Sequence, residues 1–255
     1  MTNESPYTSL VCLNPAVSGG MASVVVPTHP RAKNPPAALS LQRFLQLPNN
    51  TLYLAATEAH LDRPARLDGL CDVIAELSAD QLSSLHPKTT FAIAKAAFCG
   101  HPRALIQLAP LLRQLSITQL TRMCPATIPW IAYAAVHKYH EALTSLGYVF
   151  KDASDSALTA ILRQHPEVLA SLATAATHDA PFALTVIAPS LRNLSTSDFI
   201  QLDDTTLEKL AAAACRGYDC GLVNLAATIS QLSIEQLLSM SLATLNNLSM
   251  AAAQG

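Results

Sequence analysis

The sequence predicts an all-α fold, a right- or left-handed α-solenoid of about 38-residue units with two to three short helices each. Three observations carry that expectation. A segment opening Leu-Ser-x-x-Gln-Leu at Leu77 returns at Leu115, and looser copies begin at Leu39, Ala153, Leu194 and Leu232, at intervals of 38, 38, 38, 41 and 38 residues. Apolar residues make up 50% of the chain but aromatics only 5%, so Leu and Ala must supply the core, which suits many small helices packed closely. No single copy can bury its own apolar stripes, so stacked neighbours must complete each other's core.

Each copy opens with a helix-start device. Ser78-x-x-Gln81, Ser116-x-x-Gln119 and Ser233-x-x-Gln236 are capping boxes, Ser195-x-x-Asp198 is a close variant, and Ser40 lacks the partner. Leu77 with Leu82, Leu115 with Leu120, Leu194 with Phe199 and Leu232 with Leu237 form hydrophobic staples around these caps. The first helix is expected to run about nine residues. A break follows at Pro48, Pro87 and Pro125, or at Asp203-Asp204, which reads as an acid pair at a helix start. Thr51, Thr89, Thr127, Thr206 and Thr244 share one register position beyond the break and are expected to help start the second helix. That helix carries an Ala-rich stripe (Ile93, Ala94, Ala97; Ile131, Ala132, Ala135; Leu210, Ala211, Ala214) whose small residues allow close helix approach. The third helix repeats Ala-Leu-x-x-Leu/Ile-Ala, at Ala104–Ala109 and Ala183–Ala188. Pro110 and Pro189 fall inside it at one register position, where proline is expected to kink or divide it. The longer interval carries three extra residues near 164–166.

Two domains follow. Residues 1–36 hold six of the sixteen prolines with several Ser, Thr and Gly, and read as a disordered or loosely packed leader interrupted by apolar runs at 10–13 and 24–26. Residues 37–255 are the repeat domain, with a partial last copy.

The totals exclude several classes. Net charge is −2 and charged residues are 13%, against about 25% in ordinary domains, so no global basic field gathers nucleic acid or anionic lipid. No run of 18 apolar residues suggests a membrane span, and the N-terminus lacks the pattern of a cleaved secretory signal. Six cysteines without a CxxC or a regular framework read as reduced, in a cytosol-like compartment.

The short-helix units resemble armadillo and HEAT repeats, which implies a binding scaffold. Leu-Ser-x-x-Gln-Leu at 77–82, with Arg103-Ala104-Leu105 and Pro110-Leu111-Leu112, resembles the transcription-activator-like effector repeat, which implies DNA reading. The 38-residue period with Ile93-Ala94-Lys95-Ala96 is similar to the octotricopeptide repeat, which implies RNA. The glycine pair and lysine of the DNA-reading loop are replaced here by His86-Pro87-Lys88 or Cys124-Pro125-Ala126, and only Trp130 stands for the regular tryptophan of the RNA-associated repeat. No family's functional residues carry over.

Histidines and cysteines concentrate between the second and third helices: His60, Cys99, His101, His137, His140, His178, Cys215 and Cys220. Zinc needs ligands about 2.0–2.3 Å from one point. Loops of packed neighbours stand about 10 Å apart, so only Cys99/His101 with His137/His140 could converge. Ordinary polar loop residues are the simpler account. Cys99 with His101 as nucleophile and base lacks an orienting third group, and no phosphate loop, HExxH or GxSxG occurs.

Variable loop positions on a constant scaffold are the better candidates for specificity: Lys88, His101, Arg103, Lys138, Tyr139, His140, Arg216 and Tyr218. The functional expectation is a non-catalytic scaffold that binds a protein or peptide partner, without catalytic residues, cofactor or metal. Such a chain suits the cytoplasm, or delivery into a host cell as a bacterial effector by a specialised secretion system. The alternatives are a repeat-based RNA or DNA binding protein, which the charge does not favour, and a small enzyme with a site at the repeat edge. The partial last copy makes a dimer through the C-terminal end a further expectation.

Overall fold

The computed structural model describes residues 39–202 and 204–254, without the side chain of Gln254. The expected leader, with Cys12, lies outside the described residues, as does Asp203. Among the described residues all regular structure is helical, and no helix is long and apolar enough to cross a membrane.

Three helices recur in each of the first five copies. Copy one holds α1 (Leu41–Phe44), α2 (Thr51–His60), and a broken third helix, α3 (Ala65–Asp68) and α4 (Cys71–Glu76). Copy two holds α5 (Ala79–Ser84), α6 (Thr89–Phe98) and α7 (Arg103–Leu112), and copy three α8 (Ile117–Thr121), α9 (Thr127–Val136) and α10 (His140–Lys151). Copy four holds α11 (Asp155–Gln164), α12 (Glu167–Ala176) and α13 (Phe182–Ile187), the last continued by a 3-10 segment, Ala188–Asn193. Copy five holds α14 (Thr196–Ile200), α15 (Asp204–Ala214) and α16 (Cys220–Ile229), and the sixth α17 (Ile234–Leu238) and α18 (Leu242–Gln254).

The caps form as the sequence dictates. The Gln81 backbone N–H donates to Ser78 Oγ at 3.2 Å, and the Ser78 N–H donates to Gln81 Oε1 at 2.8 Å. Ser116, Ser195 and Ser233 close the same box. Ser154, at the start of copy four, accepts from the Ala157 N–H at 3.3 Å. Burial tends to raise the carboxyl pKa of Asp198, but the Ser195 backbone and hydroxyl donors and Arg163 (2.9 Å) outweigh it and hold it below its ordinary value.

The first helices are shorter than the expected nine residues: α5 has six and α8 has five. A proline disfavours helical geometry in the residue before it, so Pro87 and Pro125 stop the helix early. Copy four has no proline until Pro166, and its extra residues lengthen α11 to ten. In three copies the second helices start at the threonine of the shared register position. Thr51, Thr89 and Thr127 are their first residues, and the preceding Asn50, Lys88 and Ala126 make no side-chain cap. The start is a backbone turn, with the N–H groups of Thr51, Thr89 and Thr127 donating to Pro48, His86 and Cys124. The two third-helix prolines part ways. Pro189 marks the change from α13 to the 3-10 segment, whereas α7 runs through Pro110. The carbonyl that Pro110 deprives belongs to Ile106, a residue 42% exposed, where water can serve it.

Packing follows chain order in two rows. The second helices form one row: α2 packs on α6, α6 on α9, α9 on α12, α12 on α15 and α15 on α18. The third helices form another: α4 on α7, α7 on α10, α10 on α13, and the 3-10 segment on α16. Between the rows lies one continuous core that includes Leu52, Ile93, Ile131, Leu172 and Leu210. Burying each such side chain contributes roughly 1.5–3 kcal/mol. Backbone bonds also join neighbours. The His86 N–H donates to the Asn49 carbonyl at 3.2 Å, and one copy later the Cys124 N–H donates to the Pro87 carbonyl at 3.1 Å. In copy four the His165 N–H instead donates to Ile161 in its own helix, at 2.8 Å.

Candidate functional site

The turn from the second to the third helix has one design in five copies. The residues at φ > 0 are Asp62 (61°), Gly100 (100°), Lys138 (73°), Asp179 (66°) and Gly217 (88°), all at one register position. Two backbone bonds close each turn. In copy two the Gly100 N–H donates to Ala97 and the His101 N–H to Ala96; in copy three the Lys138 N–H donates to Ala135 and the Tyr139 N–H to Ala134. These are Schellman closures, which satisfy the carbonyls at the helix end without help from any side chain. The side chains of the turn are therefore not needed to cap the helix end.

Seven of the eight candidate residues stand in or beside these turns. His101 approaches Asp62 of the preceding copy, with Nε2 3.7 Å from Oδ1, beyond hydrogen-bond reach, and that nitrogen is buried without a hydrogen-bond partner. Arg103 lies 3.6 Å from Asp72 across the surface. Lys138 is exposed, Tyr139 precedes α10, and His140 opens α10 with a buried Nδ1 that has no hydrogen-bond partner. The Arg216 guanidinium donates to the Thr177 carbonyl, and Tyr218 is half-buried. Lys88 stands apart, at the opposite end of α6, about 15 Å away along the helix axis.

The histidines and cysteines of this edge pair across copies rather than converging. His60 Nδ1 lies 3.2 Å from Cys99 Sγ, and the His137 ring meets Phe98 edge-on with centroids 4.8 Å apart. Burial, helped by Lys95, lowers the His60 pKa below its ordinary value. Among the described residues no group of three or more His, Cys, Asp or Glu side chains is placed to hold a metal ion. Cys215 and Cys220 are free thiols, and burial raises the Cys220 pKa. Burial likewise pushes the Cys71 thiol to about 11.

A second surface escaped the sequence reading. On the faces of α2, α6 and α9 away from their Ala-rich stripes lie Tyr53, Phe91, Lys95, Phe98, Trp130 and Tyr133, half-buried except for Trp130 at 8% exposure. Tyr53 stacks on His86 at 4.6 Å, Phe91 and Phe98 meet Trp130 edge-on at 6.0 and 5.4 Å, and Tyr133 meets it at 5.9 Å. Lys95 Nζ stands 5.5 Å from the Trp130 ring centroid, a cation–π contact. The signal was present as Phe91-x-x-x-Lys95-x-x-Phe98, an i, i+4, i+7 set complementary to the Ala stripe. In copies four and five the positions of Phe91 and Lys95 are taken by Ala170, Thr174, Glu208 and Ala212, so the aromatic stripe belongs to the first three copies. The chain matches no family model, no curated protein and no solved structure.

Proposed function

We propose that residues 39–254 are an α-solenoid of about 38-residue units and that it is a non-catalytic scaffold for a protein or peptide partner. The two rows packed in chain order and the recurrent Schellman turns support the architecture. The observation that carries the function is the aromatic stripe: Tyr53, Phe91, Phe98, Trp130 and Tyr133 with one lysine across three successive second helices. Trp and Tyr are enriched where proteins meet, because they bury large area at low entropic cost. The low charge of the chain, net −2, favours a protein over a nucleic-acid partner.

Trp130 is the sole tryptophan, so its emission reports on the stripe directly. The test is capture of partners from a lysate by the wild-type chain and by Lys95→Glu and Tyr53→Ala variants, with and without nuclease. A polypeptide that is retained after nuclease, is lost with both variants and shifts Trp130 emission when added back supports the proposal. Tight binding to single-stranded RNA that falls steeply with salt, or capture indifferent to both variants, overturns it.

A further inference from the structure

Along the turn edge, the residue two places before each left-handed position meets the residue one place before the left-handed position of the next copy. His60 meets Cys99 in this way, Phe98 meets His137 and Thr177 meets Arg216. Of these three seams, the first sets a thiol against an imidazole, with His60 Nδ1 3.2 Å from Cys99 Sγ. The histidine at the sulfur comes from the preceding copy, whereas His101, two residues on, sets its Nε2 3.7 Å from Asp62.

Three further features act on this pair. The Cys99 N–H still donates to the Lys95 carbonyl at 3.1 Å, so the helical path of α6 continues to the cysteine. Residues four apart on a helix are neighbours on one face, and a cation beside a thiol favours the thiolate. Burial, then Lys95, hold the His60 pKa below 6.5 against the opposite pull of Asp62, so at pH 7 the imidazole is neutral and able to take a proton. Gly100, the next residue, has φ 100° and nothing within 4 Å of the place a Cβ would occupy, which leaves open space beside the half-buried thiol. Cys71 is the opposite case. It is buried, its Sγ donates to the Leu67 carbonyl at 3.5 Å, and burial pushes its pKa to about 11.

We propose that Cys99 is a nucleophilic thiol with His60 of the preceding copy as its base, and that it exchanges with low-molecular-weight disulfides. His60 Nδ1 takes the Sγ proton, and the thiolate attacks one sulfur of the disulfide. The bond to Cys99 Sγ forms as the old S–S bond breaks, and the departing thiolate recovers the proton from the imidazolium. Cys99 is thereby oxidised to a mixed disulfide while the other half of the reagent is reduced to a free thiol. An added dithiol reverses the step. Anionic disulfides are favoured, because Lys95 stands one turn away. The adduct takes the place of the Cys99–His60 contact, so it removes one of the matches that join copy one to copy two. The site depends neither on the aromatic stripe nor on a partner polypeptide.

The probe is dithiobis(nitrobenzoate), an anionic aromatic disulfide, added to the full chain at pH 7 in less than stoichiometric amount. The remaining thiols are then alkylated in acid and the modified cysteines identified by peptide mass spectrometry. Cys99 should react at least about fivefold faster than the exposed Cys215, and the preference should vanish in urea. His60→Gln should slow Cys99 about fivefold and leave Cys215 unchanged. Reaction at the buried Cys71 would show that this variant has loosened the fold, and the wild-type rate against pH then decides. The Cys99 profile should reach half its plateau at a lower pH than the Cys215 profile. Cys99 reacting no faster than Cys215 in the folded chain, coincident pH profiles, or a rate indifferent to His60→Gln while Cys71 stays protected would overturn the inference.

Discussion

Copies two and three share one plan with copies five and six, but the two regions have opposite surfaces. In α6 and α9 most residues are buried, and the remaining face carries aromatic side chains. In α18 the same register positions are half open, and the exposed large side chains are aliphatic, with Leu242 at 74% and Met250 at 52%. The same helix plan has thus produced a saturated interior in one place and an open apolar groove in the other. A residue's worth to the fold follows from whether a next helix stands upon it, not from its type.

The largest expected effect tests that statement directly. Ile131 and Leu248 occupy one register position, but Ile131 is fully buried and Leu248 is not. Ile131→Ala should cost about 2–5 kcal/mol in urea unfolding. Leu248→Ala should cost less than about 1 kcal/mol, as expected where little transfer from water is reversed. Equal losses would mean that the end copy is packed as firmly as the middle.

The caps extend the same comparison. Ser116→Ala removes the Oγ that accepts from the Gln119 N–H between packed neighbours and should cost about 1 kcal/mol of global stability. Ser233→Ala removes the equivalent Oγ acceptor beside α18, and its loss should show chiefly as faster amide exchange in α17 and α18, since weakly covered segments open locally. Smaller still is a gain. Lys138 holds φ at 73°, a geometry that disfavours a side chain, and its N–H and the next close the turn without that side chain. Lys138→Gly should therefore raise stability by roughly 0.5–1 kcal/mol in thermal unfolding.

Acid provides the last contrast. His60 has a folded pKa below its ordinary 6.5, because burial and Lys95 disfavour its charged form. As pH falls through 6.5, the unfolded chain takes up a proton that the folded chain refuses, so stability is full above that value and declines below it. His60→Gln should flatten the fall in thermal midpoint between pH 7.5 and pH 5. An unchanged slope would place the acid sensitivity elsewhere.

Much of the fold was legible because its instructions are local. The Ser and Gln of each capping box sit three residues apart, and they close as bonds at 78–81, 116–119 and 233–236. The Schellman turns were hidden because nothing in Asp62, Lys138 or Asp179 announces a left-handed residue; the backbone imposes it. Pro110 and Pro189 look alike in sequence and diverge because α7 continues past one while α13 ends at the other, a choice made by their neighbours. The loop residues proposed for specificity were found as variable positions. The aromatic stripe was missed because its members lie on three helices 38 residues apart, and their adjacency exists only after the helices stack.

The pairs along the turn edge join residues 39 apart: His60 with Cys99, Asp62 with His101, Phe98 with His137 and Thr177 with Arg216. Asp80 accepts from Gln119 at the same separation, 2.9 Å away. Each unit thus meets its neighbour through a different chemical match on an unchanging frame. Excising the 38 residues 77–114 would preserve the period of the backbone, yet it would bring His137 opposite His60 and Tyr139 opposite Asp62. The order of the units is written into these seams, so the chain behaves as a sentence whose words fit one neighbour, rather than as a string of interchangeable beads.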